Sequence, residues 1–294
     1  MLSAELLAQI RGLAFRAGYL ASDALLGEYA SAFKGQGWDF EEVRSYQHGD
    51  DLRSVDWPVT ARMGEPFVKV FREERELTLL LLVDVSASLD FGSHGRPKRE
   101  RAAELAAVLA FLATKTHDKV GLVLFSEEIE AYIAPGKGKS HIWNIIRAVM
   151  THKAKGRKTK LDDALRFVLN TRKRRALCIL ISDFWARDYE GSLQQLARQH
   201  QLVCARLLDK REQQWPKAGL LWLEDKESGG KVLIDSSSAV LQNAWREERQ
   251  KALRDWERWV QVQGAYPLSL QEDEGTVEAL HRLLRSMDRG RRRR

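Results

Sequence analysis

The stretch LTLLLLVDV, residues 77–85, runs straight into Ser86-Ala87-Ser88. Leu79, Leu80, Leu81, Leu82 and Val83 leave no polar face, so a strand made of them must be covered on both sides. That is the habit of a parallel sheet lying between helical layers. The sequence downstream continues the pattern. Residues 101–117 carry Ala102, Leu105, Val108, Leu109 and Leu112 at helical spacing, and 120–125 form a second apolar run. A short strand near 129–133, helices over 141–150 and 161–170, a strand at 176–182, a helix over 189–198 and a strand at 202–208 follow. This alternation predicts an α/β, doubly wound, mostly parallel sheet flanked by helices.

Beyond the last of these strands, apolar stretches at 220–224 and 231–235 flank Ser228-Gly229-Gly230, which suits a small β-hairpin insertion at about 219–235. A long amphipathic helix is predicted over 240–262, with Trp245, Trp256 and Trp259 as packing residues. An edge strand at 266–270 and a closing helix at 277–287 complete the domain. Upstream, residues 1–34 read as an N-terminal amphipathic helix with Leu6, Leu7, Ile10, Leu13, Ala14 and Ala17 on one face. Glu5, Arg11, Arg16 and Asp23 interrupt it, which excludes a signal peptide or a membrane span.

A chain of 294 residues, 44% hydrophobic, can bury one large core, so one main domain over 77–288 with appendages is expected. The net charge of +7 is concentrated in the basic tail 289–294, where Arg289, Arg291, Arg292, Arg293 and Arg294 stand, and the body is close to neutral. A short terminal run of one sign is read as a solvated end. The two cysteines, Cys178 and Cys204, lie inside apolar runs with no ligand spacing, which fits a reducing compartment. The expectation is a cytoplasmic protein.

The first strand ends in Asp84-Val85-Ser86-Ala87-Ser88, a carboxylate and two hydroxyls placed where a strand becomes a loop. Thr159 precedes the helix predicted at 161–170, and Asp183 follows the strand at 176–182. In a doubly wound sheet the carboxyl ends of parallel strands share one rim, and sites form where the strand order reverses. Asp84 and Asp183 would then flank one point, within reach of Thr159. These are hard oxygen donors of the kind Mg²⁺ or Mn²⁺ takes in near-octahedral geometry.

In this order the residues resemble the von Willebrand factor A (vWA) family and its metal-ion-dependent adhesion site, Asp-x-Ser-x-Ser, then Thr, then Asp. The resemblance implies that Ser86, Ser88 and Thr159 ligate through hydroxyls, and that Asp84 and Asp183 bind directly or through water. It also implies a grip on a protein partner that offers an Asp or Glu to the metal. A second resemblance lies in the segment 35–76. Gly35-Gln-Gly37-Trp38-Asp39-Phe40, Arg44-x-Tyr46, Gly49-Asp50-Asp51-x-Arg53-x-Val55-Asp56-Trp57 and Thr60-Ala61-Arg62 are similar to the DUF58 family. That family joins such a segment to a vWA domain, and its members are often encoded beside MoxR-type AAA+ ATPases. Many of them carry transmembrane helices ahead of the segment. The implied function is a non-enzymatic adaptor that works with such an ATPase on a client protein. Read from its residues alone, the segment interleaves Trp38, Phe40, Tyr46 and Trp57 with Arg44, Asp50, Arg53 and Asp56, as a packing segment with paired charges does.

Two other functions were weighed against the adaptor. A hydrolase or phosphatase built on Asp84 or Ser86 lacks its parts: the position two residues after Asp84 holds Ser86 where a dehalogenase-type phosphatase needs Asp, and neither a nucleophile elbow nor a P-loop is present. Nucleic-acid binding would rest on Lys153, Lys155, Arg157, Lys158 and Lys160, on 172–175 and on the tail. Those clusters fall on different edges of the predicted sheet, which fits a phosphate track poorly. The first cluster borders Thr159, and is equally an ordinary solvated loop or a basic rim that steers an acidic partner. His48 and His94 stand alone.

Overall fold

The computed structural model describes residues 4–34, 39–51, 54–72, 76–93, 97–156, 158–224 and 230–291. Gly35, Gly37, Trp38, Arg53, His94, Arg157, Ser228, Gly229 and Arg292 to Arg294, all singled out above, lie outside these residues. Residues 1–34, read above as one amphipathic helix, form two: α1 (Ala4–Leu20) and α2 (Asp23–Tyr29), closed by a π-helical turn at Ala30–Lys34. Ser22 makes the break. Its backbone is extended and its hydroxyl caps α2 by accepting from the Leu25 amide, an arrangement a continuous helix cannot offer. The upstream segment holds an antiparallel ribbon of β1 (Asp39–Ser45) and β2 (Phe67–Arg72), with α3 (Trp57–Met63) between them. Its charges pair in part as expected, Arg44 binding Asp50 through two 2.7 Å hydrogen bonds. Trp57, expected to pack, is 68% exposed; it opens α3, a short helix that buries none of its residues.

The main sheet begins with β3 (Thr78–Asp84), buried at every position. Helix α4 (Lys98–Lys115) leads to β4 (Lys119–Phe125) and β5 (Ile129–Gly136), and α5 (Lys139–Thr151) and α6 (Leu161–Thr171) lead to β6 (Leu177–Ser182). Then come α7 (Glu190–Gln199), β7 (Gln201–Leu207) and the short α8 (Lys210–Gln213). The hairpin β8 (Leu220–Glu224) and β9 (Lys231–Asp235), the helix α9 (Ala239–Val262), β10 (Tyr266–Leu270) and α10 (Thr276–Arg291) end the chain. The strand order is β10-β7-β6-β3-β4-β5, parallel throughout except for β5, which runs antiparallel to β4. This is the doubly wound, mostly parallel α/β fold class that the sequence predicts.

Alternation along β3 divides the core in two. Leu79, Leu81 and Val83 face the layer of α1, α2, α4, α5 and α10, whereas Leu80 and Leu82 face α6, α7 and α9. Helix α4 is buried nearly all round because Ala102, Ala103, Ala106, Ala107, Ala110 and Ala113 let it lie close between sheet and outer helices. From β3 the chain steps to β4 on one side and later returns to β6 on the other. That reversal puts the carboxyl ends of β3 and β6 side by side, with Val83 opposite Ile181. At the other end of β3, Arg172 donates to the Thr78 hydroxyl at 2.7 Å, so the basic run 172–175 starts at the edge opposite this rim.

Candidate metal centre

Asp84 is the last residue of β3 and is fully buried. One carboxylate oxygen accepts from the Ser86 amide at 2.8 Å and the other from the Ser182 hydroxyl at 2.7 Å. Past Asp84 the chain must curl if Ser86 and Ser88 are to point the same way, and a 3₁₀ turn at Ala87–Asp90 does this. The Ser86 and Ser88 hydroxyls then stand 3.1 Å apart, and Thr159 donates its hydroxyl to Ser86 Oγ at 2.8 Å. Asp183 follows β6, is 1% exposed, and adds its charge to the field on Asp84. Phe184, next to it, adopts a left-handed φ of 57°, a costly conformation for a bulky residue and one found often at functional turns. The structure therefore brings Asp84, Ser86, Ser88 and Thr159 into one hydrogen-bonded cluster with Asp183 beside it.

Electrostatics make this cluster a place where positive charge is missing. Burial, and then the neighbouring Asp183, push the Asp84 carboxyl up to about 7, against the hydrogen bonds from Ser182 and Ser86. Asp183 Oδ1 is buried without a hydrogen-bond partner. Its Oδ2 meets the buried ammonium of Lys98 at 3.2 Å, and Lys98 also binds Glu212 at 2.5 Å. Burial works against the Lys98 charge, but Asp183 and Glu212 outweigh it and hold its pKa above the ordinary value. With all of them ionised, Asp84, Asp183 and Glu212 face the Lys98 ammonium and the nearby Arg206 guanidinium, which leaves one negative charge for a bound cation to offset. The orphaned Asp183 oxygen, the hydroxyl triplet and this charge balance fit Mg²⁺ or Mn²⁺, which take carboxylate and neutral oxygens together. Among the described residues no group of three His, Cys, Asp or Glu is arranged as metal ligands.

Thr159 is held in place by residues that the sequence reading did not single out. Glu130, on β5, accepts from the Ser126 hydroxyl, from His152 Nε2 at 2.6 Å, and from the amides of Lys155 and Gly156 at 3.0 and 3.3 Å. Burial would raise its pKa, but these donors win and hold it at about 2. Glu127 takes the Lys158 amide and the Ser126 carbonyl takes the Lys160 amide. Arg99 ties the same loop to the first one, donating to the carbonyls of Val85 and His152. The side chains of Lys153, Lys155, Lys158 and Lys160 point outward and are exposed, while the backbone between them turns inward. Nothing in the sequence marked Glu130, Lys98 or Glu212: His152 lies 22 residues from Glu130, and Glu212 lies 114 from Lys98. Ser182 could have been found, since it stands directly before Asp183 at the strand end.

Fold and site together define a doubly wound α/β domain with hydroxyls and carboxylates gathered at the carboxyl ends of its central strands. Within that class the chain belongs to the family described as Protein of unknown function DUF58, which it matches over residues 42–255. It is 30% identical over 293 residues to the uncharacterized protein Rv1480 of Mycobacterium tuberculosis, covering 97% of this chain and 91% of that protein. Similar solved structures include the conserved hypothetical protein BatB from Bacteroides thetaiotaomicron, at 13% identity and a TM-score of 0.48, covering 72% of this chain and 99% of BatB. Another is the von Willebrand factor type A protein from Catenulispora acidiphila, at 8% identity and a TM-score of 0.41, covering 76% of this chain and 43% of that one. Among the described residues no helix is long and apolar enough to cross a membrane.

Proposed function

We propose that this protein is a non-enzymatic, metal-dependent protein-interaction module. Asp84, Ser86, Ser88, Thr159 and Asp183 hold Mg²⁺ or Mn²⁺, and a partner supplies an Asp or Glu to the position the chain leaves open. The bound ion, neutralised by its own site, keeps coordination capacity for one more oxygen, which is the chemistry it supplies. The observation that carries the reading is the convergence of three hydroxyls with Asp84 beside a buried, unpartnered Asp183 oxygen. Membership of DUF58 supports a MoxR-type AAA+ ATPase as the working partner and a client protein matured or remodelled by the pair. Asp84 is spent in hydrogen bonds to Ser86 and Ser182, which speaks for a binding role rather than a nucleophilic one.

Calorimetric titration of the EDTA-stripped protein with MnCl₂ and MgCl₂ tests this. One site is expected, lost in Asp84→Ala combined with Ser86→Ala, with a circular dichroism spectrum like that of the wild type. Metal at about a hundred times its Kd should stabilise the wild type by roughly 2.7 kcal/mol, seen as a rise in Tm. Undiminished binding in the double variant would sink the assignment.

A further inference from the structure

A second cation-rich feature lies on the same rim. Arg206, opposite Ser182 in the β6–β7 pairing, is 9% exposed, and its Nε is buried without an acceptor. Arg249 of α9 also has a buried, unpartnered Nε. Both guanidiniums flank one indole: their Cζ atoms lie 5.6 and 4.8 Å from the centre of the Trp185 ring. Trp256 backs Arg206 at 5.2 Å and Trp245 backs Arg249 at 4.0 Å. Arg206 is buried and Arg249 half-buried. Although the charges of Asp183 and Glu212 reach Arg206, neither guanidinium is ion-paired among the described residues, so an anion that joins the two offsets part of the cost of holding them together.

Trp185, Arg206 and Arg249 line a cavity of about 240 Å³ that also includes Arg246, Glu212 and Glu272. Its size suits a side-chain head group; the Trp185 face holds the guanidiniums by cation–π attraction, and their N–H edges remain to bind a carboxylate. Glu212 belongs to the cavity wall and to the Lys98 pair, so the cavity and the metal cluster share a residue. Acidic groups in the wall, Glu212, Glu272 and Asp273, penalise a doubly charged phosphate more than a single carboxylate.

We propose that this cavity binds an acidic side chain of a partner protein, its carboxylate gripped by Arg206 and Arg249, whose guanidiniums Trp185 holds in place. The partner is thus read at two carboxylate positions on one rim, one at the metal and one here. This second position stands without the first.

The test uses full-length protein carrying Asp84→Ala, in EDTA, so that the metal site takes no part. Tryptophans are labelled with 5-fluorotryptophan, and the Trp185 signal is assigned by its loss in Trp185→Phe. The probe is the tripeptide Gly-Glu-Gly with both termini blocked; sodium acetate and inorganic phosphate are the comparison ligands. A saturable ¹⁹F shift of the Trp185 signal with the tripeptide is expected, at least tenfold weaker with acetate. The same titration should weaken tenfold or more in Arg206→Gln and in Arg249→Gln, the latter altering only a half-buried helix residue and so preserving the fold. No shift with the tripeptide, or an undiminished shift in Arg249→Gln, overturns the proposal. Acetate binding as tightly as the tripeptide assigns the cavity to free small acids, and phosphate binding more tightly assigns it to phosphate; either result also overturns it.

Discussion

Asp84 shows what one buried carboxylate does when its neighbours are a second carboxylate and two hydrogen-bond donors. Burial and Asp183 raise its pKa from 3.8 to about 7, so the folded protein holds this proton more tightly than the unfolded chain. Without metal, the contribution of Asp84 to stability is therefore full at low pH and is lost as pH rises through about 4 to about 7. A divalent cation must displace the same proton, so metal affinity has the opposite slope. We expect the Mn²⁺ affinity to rise steeply between pH 5.5 and pH 8, with proton release visible as a dependence of the calorimetric heat on buffer ionisation enthalpy. Asp84→Asn should remove that proton release. A pH-independent affinity would show that Asp84 enters the site already ionised. Lys98 qualifies the same picture: its ammonium occupies one oxygen of Asp183, leaving Oδ1 as the atom free to face an ion.

At the scale of elements, the site depends on two loops being held at the right height above the sheet. The first is shaped by the 3₁₀ turn after β3, the second by the acidic β4–β5 hairpin. Gly156 lies where the second loop crosses that hairpin: a Cβ there would meet Ser126 Oγ at 2.6 Å and Glu127 at 3.1 Å. Gly156→Ala must push the loop outward and carry Thr159 with it. Glu130→Gln removes charge from the acceptor of the Lys155 and Gly156 amides and of His152. Both variants touch no proposed ligand, yet each should weaken Mn²⁺ binding about tenfold to a hundredfold, as losses behind a ligand shell do. Titration calorimetry measures it, and an unchanged Tm within a few degrees would show that the effect is local. Affinities equal to wild type would mean that Thr159 reaches the site without this support.

For the whole molecule, the charge is arranged in separate patches. Lys153, Lys155, Lys158 and Lys160 ring the Thr159 loop on the rim, while Arg172 is anchored at the far edge of the sheet. Of these two, the first patch lies where it can steer an acidic partner toward the proposed metal site. Steering acts on association, and it weakens as salt screens it. Reversing Lys158 and Lys160 to Glu should slow association with a MoxR-type ATPase from the same genome by about tenfold at low salt and flatten its salt dependence. Metal affinity should change little. Stopped-flow mixing at several salt concentrations gives the answer, and a rate equal to wild type at low salt would reduce the lysines to ordinary solvated surface.

The sheet, and the meeting of Asp84, Ser86, Ser88 and Thr159 on one rim, were legible in the residues alone. A short apolar run bounded by turn residues reads as a strand buried on both faces, and oxygen-bearing side chains at the carboxyl ends of β3 and β6 share one rim because neighbouring parallel strands end together. Local chemistry was less legible where it competed with periodicity. The apolar spacing of residues 1–34 continues across Ser22, while the cap that breaks the helix depends on one hydroxyl. The strands β1 and β2 were missed because their pairing partners lie 22 residues or more apart, with α3 between them. Tertiary structure alone decided which charges meet. Lys98, Asp183 and Glu212 come from three distant elements, as do Arg206, Arg249 and Trp185. Hydrophobic periodicity fixes which way a side chain faces, but a pairwise charge contact depends on how separate helices and strands dock, and a sequence pattern carries no term for that distance.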